Sequence, residues 1–274
     1  MTSGLDAASR RSPPYAAGVK GFHERICRQS QAENSVSDSE IPRLWKTVEG
    51  ARFAAGEPAV TTDRESAGYL LGETPNLIRA NAGLAFGALC VMTLLGVVSD
   101  LYPDFAGLAG FGSIVANLVF QYETTVALLV HYNFLDGSSR RRRLWALLGL
   151  NLLSGIAILF GLILLVLPGV YLLVRWSAAV PALIAEDSDI SASFGLSAEA
   201  VAGRFWHVFA AMAVVWTPGL VGLLVSVMVP DGELLMASLI LNLSLNVCLI
   251  AGWHLAVAIY AGRQDGRALA EVFA

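Results

Sequence analysis

Six apolar runs, most of them long enough to cross a bilayer, limit what this chain can fold into more than any other feature. A hydrocarbon core ~30 Å thick takes about 20 helical residues to span. Residues 76–98, 111–135, 144–167, 169–185, 206–229 and 234–261 form the six runs, the fourth being the shortest. Inside a bilayer no water satisfies backbone N–H and C=O groups, so such runs must close their hydrogen bonds internally, as helices. Composition agrees, with 55% hydrophobic and only 15% charged residues, against about 25% charged in a soluble domain. The expected fold is all-α: an integral membrane bundle of about six transmembrane helices.

The third and fourth runs together exceed a single span, and Pro168-Gly169 is the expected break between them, because Pro restrains the residue before it and Gly permits a reversal. Short loops rich in Lys and Arg stay on the cytoplasmic side. Arg140 to Arg143 follow the second run, Arg204 precedes the fifth, and Arg263 and Arg267 follow the sixth. With six crossings all of these fall on one face. The opposite gaps hold Asp100, Asp104, Asp231 and Glu233 and no basic residue. Both termini are therefore expected in the cytoplasm, whereas five crossings would strand either the arginine run or the C-terminal arginines outside.

Nine of the 18 Lys and Arg residues precede Pro75, so the membrane domain is expected over residues 76–262. Residues 1–75 read as a cytoplasmic region, disordered to about residue 40 and then amphipathic, with Ile41, Leu44, Trp45 and Val48 on one helical face. Residues 263–274 read as a short cytoplasmic tail. Between the fourth and fifth spans, Ile190, Phe194, Val201 and Phe205 share a face. That stretch is expected to form an interfacial helix, with Asp189 or Ser191 placed to cap its start. Gly83 with Gly87, and Ala157 with Gly161, have the small-residue spacing that lets membrane helices approach closely, and Pro218-Gly219 marks a kink in the fifth span.

Ionisable residues within a span cost on the order of 3 kcal/mol and call for partners. Arg175 falls about six residues, or ~9 Å, below the expected external turn. Asn117 and Asn242 come to a similar depth and Glu123 lies deeper. Arg175, Glu123, Asn117 and Asn242 thus form the candidate intramembrane polar cluster, read foremost as a structural pair completed by hydrogen bonds. His131, His207 and His254 share a depth but lack close ligand spacing, so no metal site is assigned. The odd set Cys27, Cys90 and Cys248 gives no disulfide framework. No nucleophile elbow, phosphate-binding loop, zinc helix or dinucleotide motif is present. The formal net charge of -4 gives nucleic-acid binding no support. No enzyme activity and no cofactor are expected.

Leu167, Pro168, Gly169, Tyr171, Arg175, Pro181, Glu186, Ser197, Gly203, Arg204, Phe205 and Trp206 together resemble a pattern of bacterial multi-pass proteins related to the membrane domain found ahead of some glycerophosphodiester phosphodiesterases. The resemblance covers residues 164–209 and implies six helices in the cytoplasmic (inner) membrane. The phosphodiesterase chemistry does not transfer, because too few residues lie outside the membrane to build a catalytic domain. The expected role is a non-catalytic one, supporting membrane or envelope processes through membrane lipids or a membrane-protein partner. The alternative is a small-solute or lipid transporter using the Arg175 and Glu123 region. In intact cells, a single cysteine at Asp104 is expected to react with an impermeant thiol reagent and one at Ser138 is not; the reverse labelling would overturn the orientation.

Overall fold

The computed structural model describes residues 66–135, 143–230 and 233–273, and the element bounds follow from it. Residues 1–65, with the expected amphipathic stretch, and Arg140 to Arg142 lie outside the described residues. Helix α1 (Ala67–Ala80) opens at Ser66, whose hydroxyl accepts the Tyr69 N–H at 3.1 Å. It is followed by α2 (Ala82–Leu101), a 3₁₀ turn (Pro103–Phe105), α3 (Ala106–His131), α4 (Leu144–Leu164), α5 (Val166–Arg175), α6 (Ala179–Ala185), α7 (Ile190–Val201), α8 (Phe205–Met228) and α9 (Leu234–Phe273).

The all-α membrane bundle is present, with six helices or helix pairs long and apolar enough to cross a membrane: Ala82–Leu101, Pro103–His131, Leu144–Leu164, Val166–Ala185, Phe205–Met228 and Leu234–Gln264. Their outward residues are those a soluble protein would hide, with Leu164, Leu167 and Met228 each at least 75% exposed. In lipid such surfaces are solvated by acyl chains, so burial gives little drive for helix association. Contacts place Arg143, Glu186, Arg204 and Arg263 at one end of the bundle, and Asp100, Ser238 and Asn242 at the other. We call these the Arg143 end and the Asp100 end.

Four boundaries differ from the sequence reading. The first run does not begin a span at residue 76: α1 extends through Pro75, buries Leu70, Thr74 and Leu77, and gives way to α2 at Asn81. Residues 66–75 are therefore a packed helix. Pro168-Gly169 is not the break. The chain reverses at Leu165, in extended conformation, and Pro168 falls in the first turn of α5, where a missing N–H costs nothing. Gly169 instead presses against α4. A methyl group on Gly161 would sit 2.8 Å from the Cα and amide nitrogen of Gly169, so glycine at both positions sets the depth of this hairpin. The fourth span is itself divided between α5 and α6, because Pro181 has no N–H for the carbonyl of Ser177 and its ring crowds that turn. Lastly, α9 continues through residues 263–273, where a tail was expected, and at 1.5 Å per residue its 40 residues reach about 60 Å.

The interfacial helix is present as α7. Asp189 caps it, accepting the Ala192 N–H at 2.8 Å and the Ser191 hydroxyl at 3.1 Å. These two bonds, the backbone one foremost, hold the Asp189 carboxyl below the usual carboxylate range. Of the small-residue pairs, Gly83 meets nothing within 4 Å and Gly87 only the edge of Phe120. Gly161 of the second pair makes the close approach to Gly169, and further close approaches lie at Gly96 against Asn242 and Gly222 against Ser244, both on α9. Gly161→Ala is expected to lower the unfolding midpoint of the detergent-extracted protein by the equivalent of about 1–3 kcal/mol. Gly155→Ala, with open space around it, should not lower it; equal losses would mean that the α4–α5 contact is not a tight one.

Candidate functional site

The fourth span ends its first half at Arg175, and the next three residues leave helical pairing incomplete. Ser197, buried on α7, supplies the missing partners: its hydroxyl donates to the Arg175 carbonyl and accepts the Ala178 N–H, both at 3.0 Å. One side chain thereby satisfies a donor and an acceptor of a broken helix, a requirement in surroundings without water. Trp176 and Phe194 pack beside this clamp with ring centroids 4.3 Å apart.

Gly203, at φ 79°, turns the chain from α7 into α8 in a conformation that other residues adopt only with strain. This turn delivers Arg204 into the interior, where it is 6% exposed. Its Nε donates to the Ala200 carbonyl at 2.7 Å, and its Nη2 donates to the Ile259 carbonyl of α9. Gly262 leaves room for the guanidinium, since a methyl there would meet Nη1 at 2.6 Å. Arg204 thus ties the end of α7 to α9 through backbone oxygens, the kind of charge-assisted bond that is stronger than a neutral one.

Around it runs a network of charged and polar groups. Arg263 on α9 donates to Glu186 at 3.0 Å and to Glu199 at 2.7 Å, while Tyr260 and Gln264 also donate to Glu186. Arg143, at the start of α4, donates to the carbonyls of Leu183 and Ser188 and pairs with Asp187 at 3.1 Å. Tyr132 donates to Glu73 of α1 at 2.9 Å. The Arg263 side chain is 7% exposed, whereas Glu199 and Asp187 are 64% and 59% exposed. The buried arginine fixes the helix ends, and the two carboxylates face outward.

The candidate intramembrane cluster is not assembled as expected. Arg175 is exposed, donates to the Tyr171 hydroxyl at 2.6 Å and lies 5.6 Å from the centre of that ring. Tyr171 stacks on Phe205, the first residue of α8, which sets Arg175 toward the Arg143 end rather than ~9 Å below the opposite turn. The physical reason is the break in the fourth span: Arg175 is the last residue of a short helix, where a cation favours the exposed carbonyls. No ion pair joins it to Glu123. Asn242 belongs to the Asp100 end, donating to Asp100 at 2.8 Å beside Ser238, which donates to the same oxygen at 2.7 Å. Asn117 is separate again, its Oδ1 buried without a partner. The three histidines do not form a group either: His131 and His207 are exposed, while His254 is buried with Nδ1 2.7 Å from the Ile250 carbonyl. Among the described residues no group of three side chains is arranged to hold a metal.

The sequence reading gives no site role to Tyr260, Gln264 and Ser238, and uses Asp100 for orientation alone. A signal existed for some of them, since Ser238, Asn242 and Asn246 recur every four residues and so line one face of α9. Asn246 donates to Thr93 at 3.2 Å, continuing the α2–α9 seam. No family model, curated protein or solved structure matches the chain.

Arg204→Ala is expected to lower the unfolding midpoint in detergent by the equivalent of about 2 kcal/mol, the cost of lost charged hydrogen bonds to buried carbonyls. Arg175→Ala, at an exposed position, should cost less than about 1 kcal/mol. A larger loss for Arg175→Ala would contradict this assignment of roles.

Proposed function

We propose that this is a multi-pass protein of the bacterial cytoplasmic membrane without catalytic activity of its own, which supports membrane or envelope processes through lipid or protein partners. The observation that carries this reading is the engagement of the charged groups of the 186–204 motif in ties between helices. Arg204 is committed to backbone carbonyls and Glu186 to Arg263, Tyr260 and Gln264. A reacting acid or base needs freedom to meet substrate within hydrogen-bond reach, and these groups are spent on holding α6, α7 and α9 together. The exposed carboxylates Asp187 and Glu199 are likewise held, by Arg143 and Arg263.

In this reading the Arg143 end faces the cytoplasm, as the clustering of arginines favours. A relation to the family around the glycerophosphodiester phosphodiesterase membrane domain accords with these roles, because Ser197, Gly203 and Arg204 of the shared pattern all serve the joint between the fourth and fifth spans. The transporter reading loses its main support, since Arg175 and Glu123 are not paired.

Copurification from native membranes without exchange into foreign lipid tests the proposal. A reproducible set of retained lipids or one stoichiometric membrane protein is expected. Turnover of a lipid phosphodiester by the purified protein, abolished by Glu186→Gln or His207→Ala, would sink it.

A further inference from the structure

Between α3, α4, the broken fourth span, α8 and α9 lies a partly open cleft of about 200 Å³. None of the residues lining it is charged. Its wall is mainly apolar, but Gln121, Asn151, Ser154 and Ser177 are among its lining residues, together with Trp176, Trp216 and Trp253. Asn151 Nδ2 donates to Gln121 Oε1 at 2.7 Å. This bond leaves Gln121 Nε2 and Asn151 Oδ1 without a protein partner, and either orientation of the two amides would leave one amide nitrogen and one amide oxygen over. Ser177 Oγ has no partner, and no hydrogen bond within the described residues takes up any of the three indole N–H groups.

The depth of these groups makes the vacancy in their bonding costly. Asn151 is seven residues into α4, about 10 Å along it, and Gln121 is ten residues from the end of α3, about 15 Å. Both therefore lie well inside a core ~30 Å thick, beneath the level at which tryptophans normally gather. Unpaired polar groups at that depth cost several kcal/mol in hydrocarbon unless something bonds to them.

We propose that this cleft is a binding site for a neutral glycerolipid of the diacylglycerol class. This deepens the lipid-partner reading above and rests on it. The donors outnumber the acceptor, which suits a head with two ester carbonyls and one free hydroxyl: the carbonyls accept from Gln121 and the indoles, and the hydroxyl donates to Asn151. A quinone has carbonyls but no hydroxyl and leaves Asn151 unmet. A phospholipid would bring a phosphate to a level where no cation lines the wall, at a large desolvation cost. The volume holds the glyceryl and ester groups, of roughly six or seven water volumes, while the acyl chains stay in the bilayer through the open side.

Tryptophan quenching in phosphatidylcholine nanodiscs provides the test, with the full chain in a background in which Trp45, Trp145 and Trp206 are replaced by Phe. Diacylglycerol brominated on its acyl chains should quench with a preference on the order of tenfold over equally brominated phosphatidylcholine at the same mole fraction. Asn151→Leu should abolish the preference. Ile158→Phe, which fills the cleft without touching the amide pair, should abolish it too and keeps the test valid if the Asn151 variant does not fold. Equal quenching by the two lipids, a preference unchanged in the folded Ile158→Phe variant, or displacement by an unbrominated quinone as effective as by diacylglycerol would each overturn the inference. A preference for phosphatidylcholine would overturn it while leaving a lipid partner in place, whereas native copurification free of retained lipid and protein would remove the broader reading.

Discussion

The Ser197 hydroxyl, bridging the Arg175 carbonyl and the Ala178 N–H, is the contact on which this architecture turns. A helix broken inside a membrane exposes backbone groups that hydrocarbon does not solvate. Pro181 removes one backbone donor beside this break, and the chain resolves it by folding α7 back against the gap instead of leaving it as a loop. Everything downstream follows from holding α7 there. Asp189 starts the helix, Gly203 ends it, and Arg204 is thereby aimed at the carbonyl of Ile259.

Fastening is uneven around the bundle. The outer faces are apolar and meet lipid, so they contribute little to which helix neighbours which. Polar contacts and close glycine approaches do that work, and many of them converge on α9. Near the Asp100 end it receives α2 through Asp100 and Thr93, while Gly222 of α8 lies against Ser244. Near the Arg143 end, Tyr260, Arg263 and the Ile259 carbonyl gather α6, α7 and the start of α8. The same helix contributes Trp253 to the cleft.

Much of the site was visible in the sequence as a motif but misjudged in its meaning. Arg175 drew attention because an arginine between apolar neighbours reads as a buried charge. Its span, however, is not one straight helix, and the side chain lies exposed beside Tyr171. Arg204 looked like one more basic residue flanking a span, yet it is the buried one. Hydropathy along a line does not distinguish these cases, because it reports neither the break at Trp176 to Ala178 nor the turn at Gly203 that carries Arg204 inward. Glu186 and Ser197 were noticed without their partners, which lie 77 and 22 residues away in the chain.

By itself the sequence determined the properties that depend on local chemistry: an all-helical membrane bundle, six spans, and an interfacial helix begun at Asp189. Each follows from apolar length or from a cap within a few residues. Only the tertiary structure decided which way each helix is turned about its axis, and hence that Asn242 meets Asp100 rather than Arg175. It also decided that Gly161 meets Gly169, and that Gln121, Asn151 and three tryptophans face one cleft. In a span that is apolar on nearly every side, the hydrophobic pattern carries little information about rotation. Scattered polar and small side chains fix it, and their pairing exists only once the helices have met.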